Sequence, residues 1–198
     1  IQNNPELYAL LVNTNERQSL GESKSHSLSG TLNIVRKLNS KGRNVSLRAR
    51  AGWGKSESES FSISSINFNE STGKPSSFLN QYSNTPGKNW NLSTRLGYVE
   101  PLGKNWYGEL RYQYSYKYTD SNRSRYNLNE LASDAFRQEH ADLFAEDPEL
   151  EGELAGFGST NSYPIGTLPT RNDLLNYVRD ENNSQYATYK YFEHTATA

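Results

Sequence analysis

The run from Trp106 to Tyr118 keeps apolar and aromatic side chains on one parity and polar ones on the other. Trp106, Leu110, Tyr112, Tyr114, Tyr116 and Tyr118 are even, and Glu109, Arg111, Gln113, Ser115 and Lys117 lie between them. Successive side chains of a strand point to opposite faces, so this period of two predicts a β-strand with one apolar and one charged face. The pattern recurs upstream. Leu28, Leu32, Ile34 and Leu38 alternate with Ser27, Ser29, Thr31 and Asn33. Val45, Leu47, Ala49, Ala51 and Trp53 alternate with Ser46, Arg48, Arg50 and Gly52. Trp90, Leu92, Leu96 and Tyr98 alternate with Asn91, Ser93, Arg95 and Gly97. Two short breaker runs, NSKG at 39–42 and EPLGKN at 100–105, join these segments in pairs. Alternating runs joined by tight turns predict two antiparallel hairpins.

Longer connections separate the hairpins, at 54–89 and 120–183. The first keeps strand-like alternation at Phe61, Ile63, Ile66 and Phe68. It reads as strand continuing past the first hairpin, with a bulge at Ser64–Ser65 and a tip at STGKPSS. The second changes character. Residues 1–128 carry 17 Lys/Arg against 9 Asp/Glu, whereas 129–198 carry 4 against 13. Within it Ser133 is placed to cap a helix ending before Pro148, and a second short helix is predicted over Asn172–Arg179. SQYATYKYFEHTATA returns to strand composition.

Composition poses a problem that the alternation answers. Only 33% of residues are hydrophobic and the mean hydropathy is −0.89, values that suit a polar or disordered chain. A 12% aromatic content opposes disorder, since disordered chains are poor in aromatics. Strands with only alternate residues facing lipid, and with polar lumen and loops, reconcile the two. Three features favour that arrangement over a soluble sandwich, which also alternates. The apolar runs match the ~9–11 residues of a tilted transmembrane strand. Trp53, Trp90, Tyr116 and Tyr118 lie at the ends far from the short turns, and Tyr98 and Trp106 lie near one, all on the apolar face. Rings at both ends of an outward face form two girdles at the headgroup level. Short turns on one side and long loops on the other complete the layout of an outer-membrane barrel.

The expected fold is therefore all-β: part of an antiparallel transmembrane β-barrel with long extracellular loops, one of them partly helical. Residues 1–128 hold barrel strands and one long loop, 129–183 the acidic loop, and 184–198 the start of the next strand. About six strands are countable, including one near Leu7–Asn13, fewer than even the smallest closed barrels contain. Together with the absence of any Met, this predicts a piece of a longer polypeptide. Residues 1–20 show no basic start followed by an apolar run, and LYALLV at 7–12 is too short to cross a membrane as a helix. Arg48, Arg50, Arg95, Glu109 and Arg111 are the candidates for a wet lumen. There the arginines either form an electropositive wall for anionic solutes or pair with acids such as Glu109.

The segments KGRNVSL and GYVEPLGKNWYGELRYQYSY resemble the outer-membrane β-barrel region of Bacteroidetes TonB-dependent-receptor-like proteins. The resemblance rests on a basic turn ending in Gly-Arg (Lys41, Gly42, Arg43) and on a Tyr-x-Glu-Pro-Leu turn (Tyr98 to Leu102), in that order. It covers roughly residues 26–128, with weaker support from 184–198. It implies a large barrel in the bacterial outer membrane and energised uptake or surface binding of a nutrient. The implied partners are outer-membrane lipid, a surface lipoprotein and a periplasmic energy-coupling protein. Neither a plug nor an energy-coupling segment is found in this chain.

Other chemistries find little footing. ARAGWGKS at 49–56 imitates a phosphate-binding loop, but alternation rather than a helix follows it, and such loops need helix N-terminal amides. His26, His140 and His194 share no ligand spacing. The absence of Cys removes disulfides and thiolate-bound zinc. No nucleophile elbow is present, so no enzyme, metal or cofactor is expected, and the net charge of −1 gives no sign of a nucleic-acid partner. The acidic stretch 130–153 reads as a solvated run that keeps a long loop soluble, with Ca²⁺ or partner docking as the lesser option. The alternative to the barrel is a secreted β-sandwich that stacks sugars on its tyrosine face.

Overall fold

The computed structural model describes residues 13–68, 74–159 and 163–198. The expected strand near Leu7–Asn13 thus lies, but for Asn13, outside the described residues. Five strands follow in chain order: β1 (Asn13–Lys37), β2 (Asn44–Phe68), β3 (Ser77–Pro101), β4 (Tyr107–Asn127) and β5 (Gln185–Thr197). They form one antiparallel sheet in the order β1-β2-β3-β4-β5, and the sheet is not closed. The described residues form this single sheet, not the two packed sheets of a sandwich. No helix among them is long and apolar enough to cross a membrane, a fact that does not bear on strands.

The strands are far longer than the apolar runs predicted. β1, β2 and β3 each hold 25 residues, roughly 80 Å at ~3.3 Å per residue. Most of the 54–89 connection is therefore strand, and β2 continues unbroken through Ser64 and Ser65. Trp53, Trp90, Tyr116 and Tyr118, expected at the strand ends far from the short turns, lie mid-strand, whereas Tyr98 and Trp106 lie beside the second turn as expected. The physical reason is that sheet pairing is made by the backbone, so polar stretches such as ERQSLGESKSHS extend it as readily as apolar ones.

Packing divides the chain into two compact units. One comprises 58–85 and 123–185 together with the start of β1 up to Glu22. It contains a true hydrophobic core: Tyr82, Leu128, Leu131, Phe136, Leu150, Leu154, Phe157, Leu174 and Val178 are all buried. Three short helices lie in it: α1 (Asp134–Glu139) supplies Phe136, α3 (Leu150–Ala155) supplies Leu150 and Leu154, and α2 (Ala141–Glu146) packs at the margin through Leu143 and Phe144. The helix expected from Ser133 to Pro148 is thus two, broken at His140, whose ring packs against Phe136 and Tyr177 at 4.6 and 4.5 Å. The second expected helix is a 3₁₀ segment, Asn172–Val178. Arg171 beside it donates to Asp173 at 2.7 Å and holds that carboxyl below its ordinary pKa. The acidic residues turn outward while the apolar ones turn in: Asp134 and Glu151 are exposed and flank Arg137.

The predicted cap is present. Ser133 Oγ accepts the Phe136 N–H at 3.1 Å, satisfying one of the donors left free in a first helical turn. Ser133→Ala is expected to destabilise this unit by about 1 kcal/mol. Urea denaturation followed by far-ultraviolet circular dichroism checks it; an unchanged midpoint would mean that the cap is dispensable.

The second unit comprises 23–57, 86–122 and 186–198. Among the described residues, no buried hydrophobic side chain falls within it. It is a sheet with both faces uncovered, and every residue of β1 and β5, its two edge strands, is exposed.

Candidate functional site

The register of this bare sheet follows from a few contacts. The Leu38 N–H donates to the Arg43 carbonyl at 2.8 Å across the first turn, and the Leu102 N–H to Trp106 at 2.9 Å across the second. Trp53 meets Trp90 edge-to-face at 6.2 Å, Arg95 bonds Gln113, and Tyr116 meets Phe192 at 5.1 Å. These pairs place one row of side chains above another across the sheet.

On the tyrosine face, Leu28, Trp53, Trp90, Tyr118 and Lys190 form one row. From it toward the short turns run Ala51, Leu92, Tyr116 and Phe192, then Leu32, Ala49, Thr94, Tyr114 and His194, then Ile34, Leu47, Leu96 and Tyr112. Tyr98 and Leu110 follow. Between the Trp53–Trp90 row and the Tyr98 row, β1 to β4 contribute no charged side chain to this face. Yet it is open: Leu28 is 72%, Trp90 51% and Leu110 55% exposed. Of the predicted girdle, Trp53, Trp90 and Tyr118 thus share a row, Tyr116 sits one row inside, and Tyr98 and the 76% exposed Trp106 mark the turn side. The Tyr98 hydroxyl donates to Glu100, which also accepts from Arg43 at 2.5 Å, tying the two turns together.

The structure also assigns the faces of β5. Phe192 and His194 lie against Tyr116 and Tyr114, and Lys190 over the Tyr118 ring at 6.0 Å, so even positions share the tyrosine face. Tyr189 and Tyr191 stack on each other at 6.4 Å, on the other parity. His194 was not legible as a site residue because its partner lies 82 positions away. Its Nδ1 is 2.7 Å from the Tyr112 hydroxyl, which gives a polar atom in the middle of the apolar face a partner. A double-mutant cycle of Tyr112→Phe and His194→Leu, read as folding stability in detergent, is expected to return a coupling of about 1 kcal/mol. Additive single effects would show that the bond contributes nothing.

The opposite face carries the predicted lumen residues. Arg48, Arg50 and Arg95 converge with Ser93 on a cleft of about 140 Å³. Arg95 donates twice to Gln113 Oε1, at 2.8 and 3.2 Å. Glu109 and Arg111 pair with each other along one strand at 2.6 and 2.7 Å, so Glu109 is not among the neighbours of the other three arginines. Asn91 and Asn89 lie across Gly52 and Gly54, where an added Cβ would come within 2.7 Å of the amides. Among the described residues no group of three His, Cys, Asp or Glu side chains is placed to hold a metal ion. The phosphate-loop lookalike at 49–56 is strand throughout.

On the tyrosine face, Trp53, Trp90, Tyr116 and Tyr118 wall a groove of about 910 Å³ with Leu28 and Leu92 in it and Lys190 at its rim. No family model matches the chain, and no curated protein matches it. Among solved structures it is similar to a chain of the crystal structure of the lysenin pore, at 6% identity and a TM-score of 0.13, covering 94% of this chain and 38% of that one. A likeness at that score carries no argument about fold or function.

Proposed function

We propose that this chain is part of a Gram-negative outer-membrane β-barrel of the TonB-dependent-receptor type, serving uptake or surface binding of a nutrient. The observation that carries the reading is the charge-free face of β1 to β4, bounded by aromatic rows and exposed over an area with no core to bury it. Large exposed apolar patches mark interaction or membrane surfaces. Trp90 to Tyr98 covers roughly 27 Å along the strand at ~3.4 Å per residue, or about 20 Å of height at a ~40° tilt, on the scale of the ~25 Å apolar band of such barrels. Among the described residues the outer edges of β1 and β5 have no partner strand, which supports the same reading, because lipid tolerates strands only in a closed barrel and an open edge invites pairing. The arginine face then lines a wet lumen. The acidic loop lies outside the cell, where its own core holds it in shape for a ligand or a surface lipoprotein. Energised uptake adds a periplasmic partner.

The sugar-stacking alternative draws on the same exposed groove, where Trp53 and Trp90 offer ring faces. It gives no reason for Val45, Leu47, Leu96 and Leu110 to extend the apolar face to the turns. Fractionation of the source cell decides between them. The expected result is a heat-modifiable species in the outer-membrane fraction, extracted only by detergent. A folded monomer in the soluble fraction would sink the proposal.

A further inference from the structure

Just beyond the Trp53–Trp90 row, on the same face, Lys55 of β2 stands directly opposite Lys88 of β3. The pairing is bracketed by Gly54 beneath Asn89 on one side and Gly87 beneath Ser56 on the other. Like charges directly opposite on neighbouring strands are destabilising. Both lysines are exposed, and among the described residues neither forms a salt bridge. His26 of β1 continues the row. Lys190 closes the rim one row inside, over Tyr118. Two carboxylates share this part of the face: Asp120, which lies across from Lys88 and accepts weakly from Thr188 at 3.5 Å, and Glu57, one row further out. Below the lysines the apolar groove of about 910 Å³ begins at once, within the ~300–1,000 Å³ range of small-molecule pockets.

A doubled positive charge at the mouth of an apolar groove matches an amphiphile: an anionic headgroup above, acyl chains below. We infer that Lys55, Lys88 and Lys190 with the Trp53–Trp90 groove bind a phosphate-bearing lipid, one per chain. The inference rests on the membrane reading above and adds to it a selective site. The phosphate relieves the repulsion between Lys55 and Lys88. The ring faces of Trp53, Trp90 and Tyr116 pack the first methylenes of the chains. Lys190 bears on the headgroup from β5.

The test uses the full chain in neutral detergent, titrated with dioleoyl phosphatidylglycerol or dioleoyl phosphatidylcholine and read by native mass spectrometry. Insertion is measured separately, by quenching of tryptophan fluorescence in vesicles of brominated phosphatidylcholine. The expected preference for the anionic lipid is about 10- to 30-fold, the scale of two lysines at an anionic surface. Lys55→Gln with Lys88→Gln is expected to reduce it to less than about twofold while leaving quenching unchanged. Equal affinity for the two lipids, or a preference that survives the double substitution, overturns the site and leaves the membrane reading intact. Absence of quenching in the unaltered chain overturns both. Inorganic phosphate that competes away the lipid at equal concentration would make this a soluble-anion site and overturn the lipid assignment.

Discussion

Phe157→Ala is expected to unfold the loop core locally without touching the bare sheet. Phe157 is 1% exposed, packs against the Tyr163 ring at 5.2 Å and sits among Leu128, Leu131, Leu150 and Leu154, all nearly sealed from solvent. Removing a buried phenyl ring forfeits its transfer energy and leaves a cavity, together about 3–5 kcal/mol. That is a large share of what a small unit has in reserve. Hydrogen exchange is the suitable readout, because the three tryptophans all lie outside this unit. Amide protection across 128–178 is expected to fall together by roughly two to four orders of magnitude. Protection in residues 44–57 is expected to hold. A fall confined to the immediate neighbours of position 157 would mean that the buried side chains do not form one cooperative unit.

The second large effect is an arginine placed on the tyrosine face. Ala49 lies midway between the Trp53 row and the turn-side aromatics. In a bilayer, an arginine at that depth costs about 2–4 kcal/mol, falling to about 0–1 near the interfaces. Ala49→Arg is therefore expected to lower folding stability in phosphatidylcholine vesicles by that larger amount, while Glu57→Arg, beyond the aromatic row on the same face, changes little. A soluble protein with this face in water would tolerate both to within about 0.5 kcal/mol. A sandwich with this face packed on protein would suffer at Ala49 with no gradation by depth. The ratio of the two effects thus separates three architectures.

The two hairpins, their turns and the parity of each face were legible because they are local: alternation and breaker residues act within one or two strands. The cap at Ser133 was legible for the same reason. Strand length was not, since the backbone pairs through polar sequence without leaving a mark on it. What brings Lys55 opposite Lys88, or Tyr112 to His194, is register between separate strands, and that is fixed by contacts absent from any single run of residues. The loop core was half visible. Phe136 falls within the first predicted helix, and Leu174 and Val178 within the second, whereas Phe157 arrives from a segment with no helical signal.

The two ends of the acidic loop meet at a narrow neck. Tyr126 bridges to Arg179, the Asp180 N–H donates to the Arg125 carbonyl at 2.8 Å, and the Arg125 N–H donates to Ser184 Oγ at 3.0 Å. The entropy of closing so long an excursion is met by the excursion itself, whose own buried side chains bring its ends together. Such a segment is an interchangeable cartridge. A lineage could exchange everything between the neck residues for a loop of different length and chemistry, and β4 would still find β5. The chemistry of that segment could then change at a pace that the strands, bound by their pairing, cannot follow.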